Sequence, residues 1–228
     1  MTTVRTKRIP LAERRLPDYT RTEEMINMTT HIIGGTVALA VLVGSIIIGA
    51  MHRNAWAIVS GSIYGVLTAA LFIISSIYHG MRDCLAKRVM QVIDHCTIYF
   101  MIAGTYVPIL LVGVRERSPF AAWTVFGVEI GCALFAAVLT AIDLKKYSKL
   151  SMAAYLAMGW AVMAILPDTI AVMSVPGFLW LLGGGIVYSV GAVLYGLGKK
   201  HRYVHSVFHL FVNAGSLLQA VAILKYVL

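Results

Sequence analysis

The sequence predicts an all-α protein, an integral membrane bundle of seven transmembrane helices with its N-terminus in the cytoplasm and its C-terminus outside. Charged residues make up 13% of the chain and hydrophobic residues 59%, whereas about 25% of an average soluble chain is charged. The mean hydropathy is +0.82. Seven apolar stretches each approach the ~20 residues that cross a bilayer core of ~30 Å. We therefore expect a multi-pass protein of the cell (inner) membrane.

The seven predicted spans follow one another with short connections. Their limits are 29–50, 56–80, 89–112, 119–142, 150–167, 176–198 and 203–227. Residues 1–28 carry many charges and form a predicted cytoplasmic N-terminal arm, while residues 29–228 form a single seven-helix transmembrane domain. Glycine and proline inside the spans, such as Gly104, Pro108 and Gly184, are typical of close helix contacts and kinks in lipid.

The predicted orientation depends on the lysines and arginines, which concentrate in cytoplasmic loops. With the N-terminus inside, the arm and the loops after the second, fourth and sixth spans hold fifteen of the nineteen basic residues. The other side receives four, namely Arg53, Arg115, Arg117 and Lys225. The net charge of +9 thus belongs to loops and the arm, so we expect membrane lipids rather than nucleic acid as partners.

The three cysteines offer neither a metal site nor a set of disulfides. They are Cys84, Cys96 and Cys132. Their spacing fits no metal-ligand pattern and their number is odd. Because free cysteine is among the most buried residue types, we expect all three to be buried thiols.

Few ionisable residues fall inside the spans, where they are costly and are functional candidates by default. They are His31, His79, Asp94, His95, Glu129, His205 and His209. His79 precedes the inner loop residue Arg82 by three positions, and Asp94 follows Arg88 by six. His205 and His209 follow Arg202 by three and seven positions. At ~1.5 Å per residue, all four lie within roughly 10 Å of the cytoplasmic surface.

Three histidines and a carboxylate at one depth predict a catalytic metal site. His205 and His209 are four residues apart and share one helix face, and with His79 they supply three imidazoles to a zinc ion (Zn²⁺) that keeps a fourth position for water. Zinc lowers the pKa of such a water to about 7. Asp94 is then the candidate general base. Ser75, one turn from His79, is the candidate group for orienting a ligand or a substrate carbonyl.

The remaining polar residues receive other roles. His31 has no partner by spacing, so we expect it to pack against or support the site. His95 points about 100° away from Asp94 on a helix and should not share the ion. Glu129 lies near the middle of its span, where a buried hydrogen bond, with the side chain protonated, is the expected arrangement.

At these residues the sequence resembles the hemolysin III family, the bacterial branch of the adiponectin and progestin receptor superfamily. The matching segments are Glu23 to Asn27, Thr30 to Gly34, Ser75 to His79, Asp94-His95, Ile102 to Pro108, Gly159-Trp160, Gly184 to Tyr188 and His205 to His209. The resemblance implies seven spans, a cytoplasmic N-terminus, and zinc held by His79, His205 and His209 beside Asp94 and Ser75. One departure is Gln219, where many members carry a further histidine.

We therefore expect a zinc-dependent membrane hydrolase that cleaves an amide or ester in a lipid-like, ceramide-like substrate. Lipid-amide hydrolysis is what the resemblance implies from the eukaryotic relatives. Two alternatives remain. In the first, zinc only braces the second and seventh spans of a sensor or receptor. In the second, the protein is a cytolytic membrane protein, as the family name implies, although the spans lack the ring of charges expected of a wide aqueous pore.

Overall fold

The structure is a computed structural model that describes residues 10–198 and 201–228, without the side chains of residues 197 and 198. Within these ranges the chain is helical almost throughout and contains no β-strand. An all-α fold is confirmed for this part of the chain. Some of the basic residues counted for the orientation lie outside the described residues, namely Arg5, Lys7, Arg8, Lys199 and Lys200.

Seven long helical segments make up the described chain. They are α1 (Arg21–Met51), α2 (Ala55–Gly80), α3 (Leu85–Pro108), α4 (Pro119–Asp143), α5 (Ser148–Trp160), α6 (Leu166–Gly198) and α7 (Val204–Tyr226). A short 3₁₀ turn, Leu11–Glu13, precedes α1. After α3 the chain continues through a π-helical segment, Ile109–Val114, and a last turn, Arg115–Arg117. A 3₁₀ segment, Ala161–Ile165, joins α5 to α6.

Six helical stretches of the described chain are long and apolar enough to cross a membrane. Five of them are α1, α2, α3 with its extension, α4 and α7, and the sixth is the 49-residue run Ser148–Gly196. That run contains both the fifth and the sixth predicted spans. It does not continue as one regular helix, because Ser174 adopts φ 59° and ψ 170°. Pro176 follows two residues later and suits the first turn of a new helix.

Side-chain caps and one long-range hydrogen bond fix the start of α1 relative to α7. Thr20 and Glu23 form a reciprocal capping box at the beginning of α1, which satisfies backbone N–H groups that have no partner within the helix. Glu23 Oε1 also accepts a hydrogen bond from the Tyr203 backbone N–H at 2.7 Å. Tyr203 immediately precedes α7 and has a positive φ of 62°. The first turns of α1 and α7 are therefore held side by side.

A π-helical segment, Ile109–Val114, follows Pro108, near which the sequence predicts a kink. Proline lacks the N–H that an α-helix needs, and a helix commonly adapts through a π-type turn. Two hydrogen bonds hold this region in place. The Tyr106 hydroxyl donates to the Met158 carbonyl at 2.8 Å and accepts from the Val162 N–H at 2.9 Å, which ties α3 to the end of α5.

The outer surface of the bundle is strongly apolar, as expected of a protein in lipid. Phe120 is 86% exposed and Phe135, further along α4, is 65% exposed. The prediction of three buried thiols is wrong, because Cys84 and Cys132 are exposed and Cys96 is only partly buried. Cys84 lies in the turn before α3. Cys132 lies on the outer face of α4, where a thiol behaves as a small apolar group and needs no burial inside the protein.

Candidate metal centre and the adjoining cavity

Three histidines from two helices meet where α2 ends and α7 begins. His79 is the penultimate residue of α2, and His205 and His209 occupy the first two turns of α7. One ring nitrogen from each of the three lies within 4.8 Å of the others. Their exposed fractions are only 3%, 9% and 2%. The histidines that the sequence predicted to lie at one depth are therefore in direct proximity.

The ring nitrogens that face one another suit a metal ion. The Nε2 atoms of His205 and His209 are 3.1 Å apart, close to the ~3.4 Å between two ligands of a tetrahedral zinc ion at 2.0–2.1 Å. His79 Nε2 is buried and has no hydrogen-bond partner among the described residues. A buried polar atom without a partner is costly, and a bound cation removes that cost. The residues present thus fit a divalent metal ion.

Glu24 sets the tautomer and the orientation of His79. Glu24 Oε2 accepts a hydrogen bond from His79 Nδ1 at 2.5 Å, so the proton resides on Nδ1 and the Nε2 lone pair faces the centre. Lys87, itself 5% exposed, pairs with Glu24 Oε1 and donates to the Met81 carbonyl at 2.9 Å. The ammonium group balances the carboxylate charge, which keeps Glu24 an acceptor in a partly buried position.

Replacement of Glu24 by glutamine should weaken metal binding about 10- to 100-fold, the usual effect of removing a carboxylate that orients a ligating histidine. An amide can present its NH₂ group to His79 and no longer fixes the proton on Nδ1. Competition against a chromophoric zinc chelator measures the affinity. Glu13→Gln is the matched control, since Glu13 is exposed in the turn before α1. Wild-type affinity in Glu24→Gln would exclude this role.

The sequence reasoning assigned no role to Glu24 or Asn27, although both lie in a segment that carries the family resemblance. Asn27 is 0% exposed, and its Oδ1 accepts a hydrogen bond from the Ser206 hydroxyl at 2.6 Å. One signal in the sequence pointed to them. Glu24, Asn27 and His31 have the spacing i, i+3, i+7, so three polar residues share one face of α1. A polar face on a membrane helix usually points to the interior of the bundle and indicates a functional site there.

Tyr19 covers the centre on the side of the N-terminal segment. Its ring stacks on that of His205, with centroids 4.8 Å apart and an angle of 16° between the planes. Burial raises the pKa of Tyr19 above its ordinary value, so the ring over the histidine is uncharged. The segment is tied down by Arg88, whose Nε–H donates to the Arg14 carbonyl at 2.9 Å. Residues just before α1 therefore shield the centre from solvent.

His31 lies directly against the three histidines but is not part of the group that could hold a metal ion. Its ring stacks on His209 with centroids 3.7 Å apart and meets Phe72 edge-on at 5.1 Å. Both of its ring nitrogens are buried without a hydrogen-bond partner among the described residues. Because its plane lies nearly parallel to that of His209, at 20°, the ring supports the orientation of this ligand by packing.

Asp94 and Ser75 line the same cavity as His205 and His209. The cavity has a volume of about 150 Å³, and the Asp94 side chain is 16% exposed. His95 lines it too, but neither of its ring nitrogens is free. Its Nδ1–H donates to the Gln91 carbonyl at 2.8 Å and its Nε2 accepts from the Tyr195 hydroxyl at 3.1 Å. The cavity thus offers the Asp94 carboxylate and the Ser75 hydroxyl together with the histidines.

Away from the histidines the cavity is bounded mainly by apolar side chains. Its walls come from α3, α5, α6 and α7 and include Ile98, Ile102, Ile109, Val162, Phe178 and Leu181. A chain of CH₂ groups gains free energy from leaving water for such surroundings, although within a bilayer the gain is limited to packing contacts. The lining is therefore of a kind against which a hydrocarbon chain can pack.

Glu129 is buried elsewhere in the bundle. It is 2% exposed, and its Oε2 has no hydrogen-bond partner among the described residues. It does not line the cavity that contains the histidines. The predicted buried hydrogen bond is thus not found for this oxygen. We expect the protonated form there, since an isolated carboxylate at membrane depth is very costly.

Comparison with known proteins shows which family the chain belongs to. A family model described as "Haemolysin-III related" matches residues 19–220, from the tyrosine over the metal centre to beyond the last histidine. The chain belongs to this family. It is similar to Hemolysin-3 of Bacillus cereus, with 33% identity over 90% of this chain and 92% of the relative. It is also similar to a Hemolysin-3 homolog of Bacillus subtilis, with 36% identity over 91% and 96%.

A mammalian relative supports the wider grouping. The monocyte to macrophage differentiation factor of Homo sapiens is 26% identical over 90% of this chain and 84% of its own length. The predicted membership of the hemolysin III family and its superfamily is confirmed. No solved structure gives a significant match. Family membership and the six apolar helices together establish that this haemolysin III-related chain is a multi-pass membrane protein.

Proposed function

We propose that this haemolysin III-related protein is a zinc-dependent hydrolase that cleaves an amide or ester bond in a lipid-like substrate. The observation that carries the proposal is that a possible metal site adjoins a cavity. Histidine nitrogens arranged for a metal ion face a mainly apolar cavity that also presents a carboxylate and a serine. A structural zinc site is closed by four protein ligands, whereas a catalytic one keeps a position open.

Each group at the cavity has a defined task in this proposal. His79, His205 and His209 would hold a divalent ion, which when bound would supply a water-derived nucleophile at neutral pH and polarise a carbonyl. Asp94 accepts a proton from the attacking water as the new C–O bond forms. It returns that proton to the leaving nitrogen or oxygen when the C–N or C–O bond of the substrate breaks. Ser75 orients the carbonyl, and the apolar walls hold the acyl chain.

The proposal includes the membrane topology. We propose seven spans, in which the run Ser148–Gly196 crosses the cell (inner) membrane twice and turns at Ser174. A 49-residue helix would measure about 74 Å at ~1.5 Å per residue, far more than the ~30 Å core of a bilayer. With seven crossings the charge distribution places the arm, residues 1–28, in the cytoplasm and the C-terminus outside. The centre then lies at the cytoplasmic end of the single domain, residues 29–228.

The alternative of a metal that only braces the helices has less support from the geometry. Hydrogen bonds already join the helices at this point, including Glu24 to His79 and Glu23 to Tyr203. A brace does not require a carboxylate and a serine in an adjoining cavity. The cytolytic alternative rests on the name of the Bacillus cereus relative. In the described spans we find no ring of charged side chains of the kind that lines a wide aqueous pore.

The test is fatty-acid release from a ceramide-like amide lipid and from an acyl ester by the purified, zinc-loaded protein. We expect release that stops on chelation and returns with added zinc. Gly185 provides a cavity-filling variant, because a Cβ at this lining residue meets nothing within 4 Å. Gly185→Leu should therefore slow release while metal content stays unchanged. No release of fatty acid from either lipid by the zinc-loaded protein would refute the hydrolase.

A further inference from the structure

Gln219 lines the cavity at a distance from the metal centre. It lies on α7 ten residues after His209, which corresponds to about 15 Å along the helix axis. The same cavity is lined by His205, His209 and Gln219. Around this end it is lined by the apolar residues Ile109, Val162, Phe178 and Leu181, and these form one packed cluster with Ala222, which is one turn beyond Gln219.

The path of the Gln219 side chain is set by a glycine on the facing helix. A Cβ at Gly184 would lie 2.6 Å from Gln219 Cγ and 3.1 Å from the Gly215 carbonyl oxygen. Such a separation is too short for real atoms, so the aliphatic part of Gln219 crosses α6 where only glycine leaves room. Gln219 lines the cavity, and with its stem packed in this way we infer that the terminal amide is the part exposed to it.

The Gln219 amide makes no hydrogen bond within the described residues, whereas three other polar groups that line the cavity do. The Tyr188 hydroxyl is bonded to Ser216, the Thr105 hydroxyl donates to the Met101 carbonyl at 3.0 Å, and the Tyr106 hydroxyl donates to the Met158 carbonyl at 2.8 Å. An amide can donate two hydrogen bonds and accept two more. Leaving these unmet in apolar surroundings is unfavourable, so a ligand group that meets them is preferred.

We propose that Gln219 is a specificity-determining residue that binds a hydroxyl or similar hydrogen-bonding group on the distal part of an acyl chain. The substrate class is then a hydroxylated acyl chain rather than a plain one. A site built around a hydrogen-bonding group disfavours an analogue that lacks it, because the protein group is left unpaired. The preference among substrates rests on the proposed hydrolase. The preference in binding can be tested without any turnover.

The experiment compares binding of a medium-chain fatty acid and its ω-hydroxy analogue of equal length to the detergent-purified, zinc-loaded protein. Isothermal titration gives both dissociation constants. We expect the wild type to prefer the ω-hydroxy acid about tenfold, the worth of one neutral hydrogen bond. Gln219→Met, which keeps the size of the side chain, should remove the preference. Gln91→Leu is the control, because Gln91 does not line the cavity.

The outcomes separate this inference from the proposed function. Equal binding of the two acids to the wild type, or no binding of either, overturns the inference, as does a preference that survives in Gln219→Met. The wild-type comparison is decisive even where the variant fails to fold. A tenfold preference in a protein that cleaves no lipid supports the role of Gln219 in binding and refutes only the hydrolase.

Discussion

Alanine at His79, His205 or His209 should each reduce the metal content from about one ion per chain, the content expected of a single three-histidine site, to near zero. Each substitution leaves two imidazoles, and two neutral ligands hold a divalent ion far less firmly than three. The loss should be similar at the three positions, because their ligand atoms all lie within 4.8 Å of one another. Elemental analysis of protein purified without chelators provides the measurement.

His95→Ala is the matched control for this series. The imidazole of His95 lines the same cavity, but its nitrogens are bonded to the Gln91 carbonyl and the Tyr195 hydroxyl. Its removal should leave the metal content unchanged. Full metal content in the three alanine variants would contradict the assignment, and so would the loss of metal in His95→Ala alone.

Sequence reasoning could predict the convergence of His79, His205 and His209 because it depends on simple quantities. Lysines and arginines in the loops indicate where each helix meets the membrane surface, and the rise per residue converts sequence distance into depth. The i, i+4 spacing of His205 and His209 then places both rings on one face. No tertiary contact has to be known for any of these steps.

The environment of the centre was harder to predict because it depends on contacts between residues far apart in the chain. Glu24 and His79 are 55 positions apart, and Lys87 joins them from a third helix. The arm was predicted to extend to residue 28, and its last eight residues, from Arg21, form the beginning of α1. Thr20 and Glu23 nevertheless have the spacing of a capping box, so the sequence contained the signal for the earlier start.

The turn at Ser174 illustrates a different limit. Serine rarely adopts a positive φ, because the left-handed region is unfavourable for residues with a Cβ. Local propensity therefore argues against a turn at this residue, and only the apolar length of the run from Ser148 onward indicates that the chain must turn somewhere. Pro176 narrows the place, since the residue before a proline is biased away from the α conformation. The conformation of Ser174 itself depends on packing that the sequence does not display.

Asp94→Asn should lower the rate of lipid hydrolysis about 10²- to 10⁴-fold, the range in which a positioned acid–base group contributes. Asparagine has nearly the same size as aspartate but cannot accept a proton from the attacking water. Metal content should remain at the wild-type level, because the ligands come from α2 and α7 while Asp94 belongs to α3. The variant thus separates loss of chemistry from loss of the metal centre.

Fatty-acid release and elemental analysis on the same preparations give the two readouts. Asp83→Asn is a suitable control, since the Asp83 side chain is 67% exposed and pairs with Arg88 near the start of α3. It should alter neither quantity. If Asp94→Asn hydrolyses lipid at the wild-type rate, Asp94 is not the base. If the wild type itself releases no fatty acid while retaining its metal, the three histidines hold an ion that braces α2 against α7, and the cavity beside them serves binding alone.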